Sequence, residues 1–292
     1  MQSPLVSICI PTYNGASFIY EALDSVLKQT YSHLEIIISD DWSSDETLKI
    51  VESFKKKTSI PFQIVSHNPQ GIGANWNHSI QHATGTYIKF LFQDDILEPG
   101  CVEKMVNLFE QQPELGLVAS KRDFIIEGKV TPEIEKWIAN YENLQVEFEK
   151  DEAITTITNS IFKEYFFYNS SLRNKIGEPP TVMFKKAILE EVGYFQEDLK
   201  QILDYVFYYR LLKKYPIAII NEPLVQFRIH EQQATNVNRN QKITDYETYD
   251  EILYKEFLPL LHPDTQKRLR TKLNPYHHFV FRLKRKLKSL RS

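Results

Sequence analysis

Residues 88–95 read IKFLFQDD, an apolar run that ends at two adjacent carboxylates, Asp94 and Asp95. A run of this length holding one lysine, Lys89, reads as a buried strand. Two neighbouring acids at its end repel each other and lose hydration unless something compensates. A divalent cation does so, and an oxygen-rich acidic site suits Mg²⁺ or Mn²⁺. In open α/β sheets ligands gather beyond the carboxyl ends of strands, so a metal–diphosphate site is expected here. An isolated Asp-Asp pair has a second reading, a solvated turn. Other groups capable of chemistry recur at similar places. Asp40 and Asp41 follow the strand-like LEIIIS, Asp204 precedes an amphipathic aromatic segment, and His230 closes PLVQFRIH. An ionised carboxylate accepts protons and hydrogen bonds, while an imidazole can ligate a cation or, once protonated, pair with phosphate.

The elements that must position these groups are legible from periodicity. Residues 5–10 (LVSICI) form a strand ended by Pro11, and residues 17–28 carry apolar positions at helical spacing. A second strand covers 34–39. Ser43 and Glu46, at capping-box spacing, open a helix bearing Leu48, Ile50, Val51 and Phe54. A third strand at 61–66, a loop and helix at 71–83 and a fourth strand at Tyr87–Phe92 continue the alternation. A helix over 100–111 and a short strand at Leu117–Ala119 follow. Residues 130–170 lose the rhythm and read as a helical insertion. Strands at 181–184 and 217–220 enclose a helix over Asp204–Lys214, and the chain beyond about 240 is helical in pattern. Strands alternating with helices at this spacing predict an α/β fold, a mainly parallel sheet covered on both faces.

Composition bounds the function. In 292 residues, hydrophobic side chains make up 42% and charged ones 25%, enough to build a sizeable core. The net charge of -3 supplies no global field for nucleic acid. Aromatic residues at 13% suit a carbohydrate enzyme, although large cores use them too. Cys9 and Cys101 show no metal or redox spacing, no secretory leader is read in MQSPLVSICIPTYN, and no apolar stretch is long enough to span a membrane. A reducing cytoplasm is the expected location.

In order along the chain, VSICIPTYNG (6–15), EIIISDDWSSDET (35–47), ANWNHSIQHATGTYIKFLFQDD (74–95), GYFQEDLKQILDYVFYYRL (193–211) and PLVQFRIH (223–230) resemble the family 2 glycosyltransferases. The resemblance implies a GT-A fold, a Rossmann-like sheet flanked by helices, over residues 1–235. It further implies an acceptor-side insertion at 130–178 and a helical C-terminal extension at 236–292. Asp95 would bind the cation directly, and Asp94 would reach the ribose or the metal shell. His230 would contact the metal or the diphosphate, its other reading being structural. Asp41 would accept from the N3–H of a uracil-type base, or serve as an acid at a helix N-terminus. Pro11, Thr12 and Tyr13 would line the nucleoside pocket, with Tyr13 equally readable as a core aromatic. Asn77 would hold the ribose–metal loop. Asp204 would be the catalytic base, its other reading being a helix N-cap. The chain departs from the family pattern at Gln93, Trp76 and Leu203, where relatives often carry an acid, an arginine and a second acid.

The activity so implied is hexosyltransferase-like: metal-dependent, inverting transfer from a nucleotide sugar, expected to be a UDP-sugar, to a hydroxyl of a saccharide or lipid-linked acceptor. Cell-surface polysaccharide or glycan synthesis is the expected setting. Two alternatives stand beside it, a sugar nucleotidyltransferase and a non-catalytic binding module on the same fold. Six basic residues interleaved with leucines over 282–291 give a basic amphipathic pattern, which suits peripheral contact with an anionic membrane surface. The other reading of that tail is a solvated terminus.

Overall fold

The computed structural model describes residues 3–66, 68–148, 151–169, 174–231, 233 and 245–276. Strands β1 (Val6–Thr12) and β2 (Leu34–Asp40) are buried along their whole length, as apolar runs covered on both faces must be. They pair in parallel from Val6–Leu34 to Thr12–Asp40, so both deliver their last residues to one level. Helix α1 (Ile19–Leu27) joins them and turns Ile19, Ala22, Leu23 and Val26 inward. Helix α2 (Thr47–Lys55) leads to the half-exposed edge strand β3 (Phe62–Ser66). Helix α3 (Ile72–His82) leads back to β4 (Tyr87–Phe90), parallel to β1 on its other side.

Beyond β4 the sheet becomes mixed. Strand β5 (Ile96–Leu97) and helix α4 (Cys101–Gln111) precede β6 (Leu117–Ile126), α5 (Pro132–Tyr141), β7 (Ile154–Ile157) and α6 (Phe166–Asn169). Strand β8 (Val182–Lys185) inserts antiparallel between β4 and β6, and α7 (Leu189–Val192) and α8 (Leu203–Leu212) lead to β9 (Ile217–Ile229). The order is β3-β2-β1-β4-β8-β6-β9-β5, with β7 also on β9. This is the expected α/β architecture, a mostly parallel mixed sheet flanked by helices. Both cysteines are buried and free.

Four local expectations change. Strand β6 does not stop at Ala119: Lys121, Arg122 and Asp123 break the apolar pattern, yet their backbones pair with β9 across an irregularity near Lys121. Strand β9 fuses IAII with PLVQFRI. The stretch expected to be a helical insertion also holds β7, whose Ile-Thr-Thr-Ile sequence favours extended pairing with Ile217–Ile220. Ser43 caps nothing; its hydroxyl donates to Asp40, and Asp45 accepts from the Thr47 amide instead (3.0 Å).

The chain divides into two compact units, residues 1–158 with 174–241, and residues 159–173 with 242–292. The second contains α6, α9 (Asp245–Ile252) and α10 (Pro263–Leu273). Within it Asp250 accepts from Tyr168 and Lys272, and Phe162 packs on Phe167 and Phe257. The basic amphipathic stretch at 282–291 lies outside the described residues. Among the described residues no helix is long and apolar enough to cross a membrane.

At the amino end of the strands, Glu35 accepts from the Ser7 hydroxyl (2.6 Å), the Thr84 amide (2.6 Å) and the Gly85 amide (3.1 Å). A Cβ on Gly85 would lie 2.7 Å from the Leu5 carbonyl oxygen and 2.8 Å from the Ser7 nitrogen, backbone atoms that cannot rotate aside. Gly85→Ala is therefore expected to cost about 1–3 kcal/mol through overpacking. A lowered urea midpoint checks this; an unchanged midpoint would mean that β1 shifts freely.

Candidate active site

The carboxyl ends of β1 and β2 build one wall. Asp40 is fully buried and accepts from the Thr12 hydroxyl (2.8 Å), the Ser43 hydroxyl (2.6 Å) and the Ser43 amide (2.8 Å). Its role is to pin the two strand ends, and the Thr12 side chain is consumed in that task. Asp41 is buried beside it, its amide donating to the Thr12 carbonyl (2.9 Å). Asn75 donates to the same carbonyl (3.4 Å) and leaves its own buried side-chain oxygen without a partner. Pro11 is buried, whereas Tyr13 is 58% exposed, which removes the core-aromatic reading. The Tyr13 main chain is held by Gln93 through reciprocal bonds of 2.9 and 3.0 Å. Gln93 therefore ties β1 to the Asp-Asp corner. Trp42, which the motif reading passed over, adopts φ 58° and is 62% exposed.

Strand β4 ends at Phe90, so Asp94 and Asp95 lie in the turn beyond it, with the Asp95 amide donating to the Phe92 carbonyl (3.2 Å). Asp94 Oδ2 lies 2.9 Å from His230 Nε2. Asp95 is only 1% exposed. Its Oδ1 accepts from the Arg228 amide (2.9 Å), and its Oδ2 is buried without a partner. Burial, then the Asp94 charge, holds the Asp95 carboxyl well above the usual carboxylate range, against the Arg228 amide. The Arg228 side chain reaches the Asp94 carbonyl (2.8 Å), Glu21 (2.6 Å) and Glu127, and lies over the Phe18 ring.

Helix α8 begins at Leu203 with Ile202 in the cap position, so Asp204 is not the N-cap but a buried acid of the first turn. Asp204 Oδ2 accepts from Asn174 Nδ2 (2.7 Å); Oδ1 is buried without a partner. Burial pushes its pKa up to about 7, opposed by the Tyr205 amide and Asn174 and assisted by Glu178. Glu178 pairs with Arg122 NH2 at 2.8 Å, and Arg122 in turn donates to the Tyr141 carbonyl (3.0 Å). Lys89, fully buried, donates to the Pro180 carbonyl, and its pKa is lowered by burial. Asn174, Glu178, Arg122 and Lys89 were missed as site residues. Only the lone lysine in an apolar strand carried a signal. Asn77 faces another way than expected: it brackets Phe195, through the carbonyl (2.9 Å) and amide (3.0 Å), and donates to Glu197 (2.9 Å). It secures the segment leading to α8.

The arrangement can hold a cation at one end and move a proton at the other. Among the described residues no group of three His, Cys, Asp or Glu side chains is arranged to hold a metal ion. A hard cation that shares a substrate's phosphates needs only one or two carboxylates. The Asp94–His230 pair and the unpartnered Asp95 oxygen meet that requirement.

The sequence profile described as Glycosyl transferase family 2 matches residues 7–170. An uncharacterized glycosyltransferase of Rickettsia typhi is 29% identical over 245 residues, covering 84% of this chain and 70% of the relative. Two solved structures share the fold. Staphylococcus aureus TarS 1-349, in complex with UDP-GlcNAc, superposes with TM-score 0.64 at 21% identity, over 95% of this chain and 73% of that one. The mannosyltransferase PcManGT of Pyrobaculum calidifontis, in complex with GDP-Man and Mn²⁺, gives 0.56 at 18%, over 98% and 81%.

The raised pKa of Asp204 has a consequence for stability. The folded-state value lies above that of an unfolded carboxylate, so stability from this group is lost as pH rises from about 4 through about 7. Asp204→Asn removes that penalty. It is expected to raise Tm at pH 8 and to change it less at pH 5. A lower Tm at pH 8 would mean that the carboxylate is a structural anchor.

Proposed function

Because the chain belongs to glycosyl transferase family 2, we propose that it transfers a sugar from a nucleotide diphosphate donor, a UDP-sugar, to a hydroxyl of a saccharide or lipid-linked acceptor, inverting the anomeric carbon. The observation that carries this reading is the pair of buried carboxylates, Asp95 and Asp204, each with an oxygen left without a partner. One is suited to the diphosphate end and the other to the acceptor end of a displacement.

Asp41, buried against the end of β1, accepts from the imide of a uracil base, with Pro11 and the exposed ring of Tyr13 lining the nucleoside pocket. The complex of TarS with UDP-GlcNAc supports a uridine donor on this fold. Asp95 and Asp94, with His230, would hold Mn²⁺ or Mg²⁺. Bound there, the cation supplies Lewis-acid stabilisation of the departing nucleoside diphosphate. Asp204 takes the proton of the acceptor hydroxyl as that oxygen attacks the face opposite the diphosphate. A pKa near 7 lets the carboxylate be both ionised and basic at neutral pH. Asn77 acts one step back, by fixing the segment that precedes α8. The basic pattern at 282–291 supports work at an anionic, cytoplasm-facing membrane surface.

Two outcomes test the assignment. A general base contributes typically about 10²–10⁴-fold, so Asp204→Asn should lower kcat by roughly that factor with donor affinity little changed. In the wild type kcat/KM should rise about tenfold per pH unit below about 7 and flatten above it. Near wild-type turnover in the variant, or retention at the anomeric carbon by NMR, would sink the mechanism. Separately, Asp95→Asn should stay folded and lose Mn²⁺-dependent UDP binding by calorimetry. Equal UDP affinity with and without Mn²⁺ in the wild type would remove the cation from the scheme.

A further inference from the structure

We propose that a cavity at the amino ends of β1 and β2, away from the carboxyl-end site described above, binds an organic cation: a primary ammonium on a short aliphatic stem, held by Glu35. The inference is independent of the sugar-transfer reading.

The cavity has a volume of about 370 Å³, within the range of about 300–1,000 Å³ usual for small-molecule sites. Leu5 lies just before β1, Ile60 and Pro61 just before β3, and Thr84 ahead of β4, so the cavity opens where the sheet begins. Glu35 is the one acid in its lining, and no lysine or arginine is among the described residues that line it.

Glu35 is 8% exposed, and its two oxygens are used unequally. Oε1 accepts from the Ser7 hydroxyl (2.6 Å), the Thr84 amide (2.6 Å) and hydroxyl (2.9 Å), and the Gly85 amide (3.1 Å). Four donors on one oxygen fix the orientation of the carboxylate. All four are neutral, and among the described residues no cation pairs with Glu35. Oε2 accepts from nothing there. Unlike the unpartnered oxygens of Asp95 and Asp204, it is not sealed from solvent. A carboxylate this far buried costs free energy unless its charge is compensated, and here the compensation is left to whatever enters the cavity.

His33 supplies a second acceptor to the same lining. The Val6 amide donates to its carbonyl (3.1 Å), which continues the β1–β2 ladder one residue back and sets His33 and Glu35 on one face of the strand. His33 Nδ1 lies 2.6 Å from the Ser3 carbonyl oxygen, which only accepts. Nδ1 therefore carries the hydrogen, and in the neutral ring Nε2 keeps its lone pair. An ammonium brings a positive charge and three N–H donors to two acceptors, and an aliphatic stem suits Leu5, Ile60 and Pro61. A free amine and the lysine side chain of another protein share this chemistry.

Isothermal calorimetry on the full-length protein tests the proposal. Wild type should bind n-pentylammonium at one site with a Kd below about 1 mM. It should bind 1-pentanol, which lacks the charge, and n-pentyltrimethylammonium, which lacks the N–H donors, at least about tenfold more weakly. Glu35→Gln keeps an oxygen for the four donors and removes the charge; it should lose at least about tenfold in affinity for n-pentylammonium. Ser59→Trp, at an exposed position of the lining, should fill the cavity and abolish binding while leaving the circular dichroism unchanged. Nα-acetyl-lysine amide names the source: binding tighter than n-pentylammonium assigns the ammonium to a protein lysine, and binding no tighter assigns it to a free amine, both in support. Wild type that does not bind n-pentylammonium, or binds 1-pentanol as well, overturns the proposal without any variant. A folded Glu35→Gln or Ser59→Trp protein with unchanged affinity overturns it too. Displacement of n-pentylammonium by equimolar Zn²⁺ would give the cavity to a metal ion and overturn it likewise.

Discussion

Arg228 donates through its main chain to Asp95 and through its guanidinium to the Asp94 carbonyl, Glu21 and Glu127. It is 3% exposed, and its guanidinium lies 4.7 Å from the centre of the Phe18 ring. A buried arginine of this kind is tolerable only when nearly every donor is used, and removing one partner of such a group is strongly destabilising. Here the partners come from α1, the Asp-Asp corner and the segment just past β6. The arginine therefore fixes where the corner can sit. It also leaves the corner incompletely neutralised: its charge is directed to Glu21 and Glu127, while Asp95 receives only a backbone amide.

The two ends of the sheet treat buried acid differently. At the amino end Glu35 Oε1 is held by donors from Ser7, Thr84 and Gly85. At the carboxyl end Asp95, Glu178 and Asp204 each keep an oxygen without a partner. Native proteins satisfy nearly all buried polar groups, so a concentration of exceptions at one sheet end is informative. It agrees with the roles proposed for Asp95 and Asp204, since natural proteins give up some stability where a site needs unsatisfied groups. The pKa of Asp204, near 7, is one expression of that concession.

The first four strands and their helices were legible because their apolar residues follow the local period with few polar interruptions, and the Asp-Asp pair was legible because it ends such a run. What the sequence hid depends on pairing between distant segments. Lys121 to Asp123 lie beyond the short strand read at Leu117–Ala119, yet they are held extended by β9. Ile154–Ile157 is too short to stand out, and only its partner on β9 makes it a strand. Glu178 and Asn174 lie in NKIGEPPTVM, a stretch with no periodic pattern, and become neighbours of Asp204 through hydrogen bonds that no local spacing announces. Asn77 illustrates the converse: its position was recognised, but its amide turned out to serve a segment 118 residues away.

The bond from Arg228 to Glu21 spans 207 residues of chain. Loop closure over such a distance must be met before the contact rewards it, and contacts of this separation form late. During synthesis β1 to β4 can therefore assemble while the corner carrying Asp94 and Asp95 still lacks its brace. The carboxylates meet Arg228 and His230 only when the end of β9 docks. On the roles proposed for these residues, the diphosphate end of the site is complete only once the last strand of the sheet is in place.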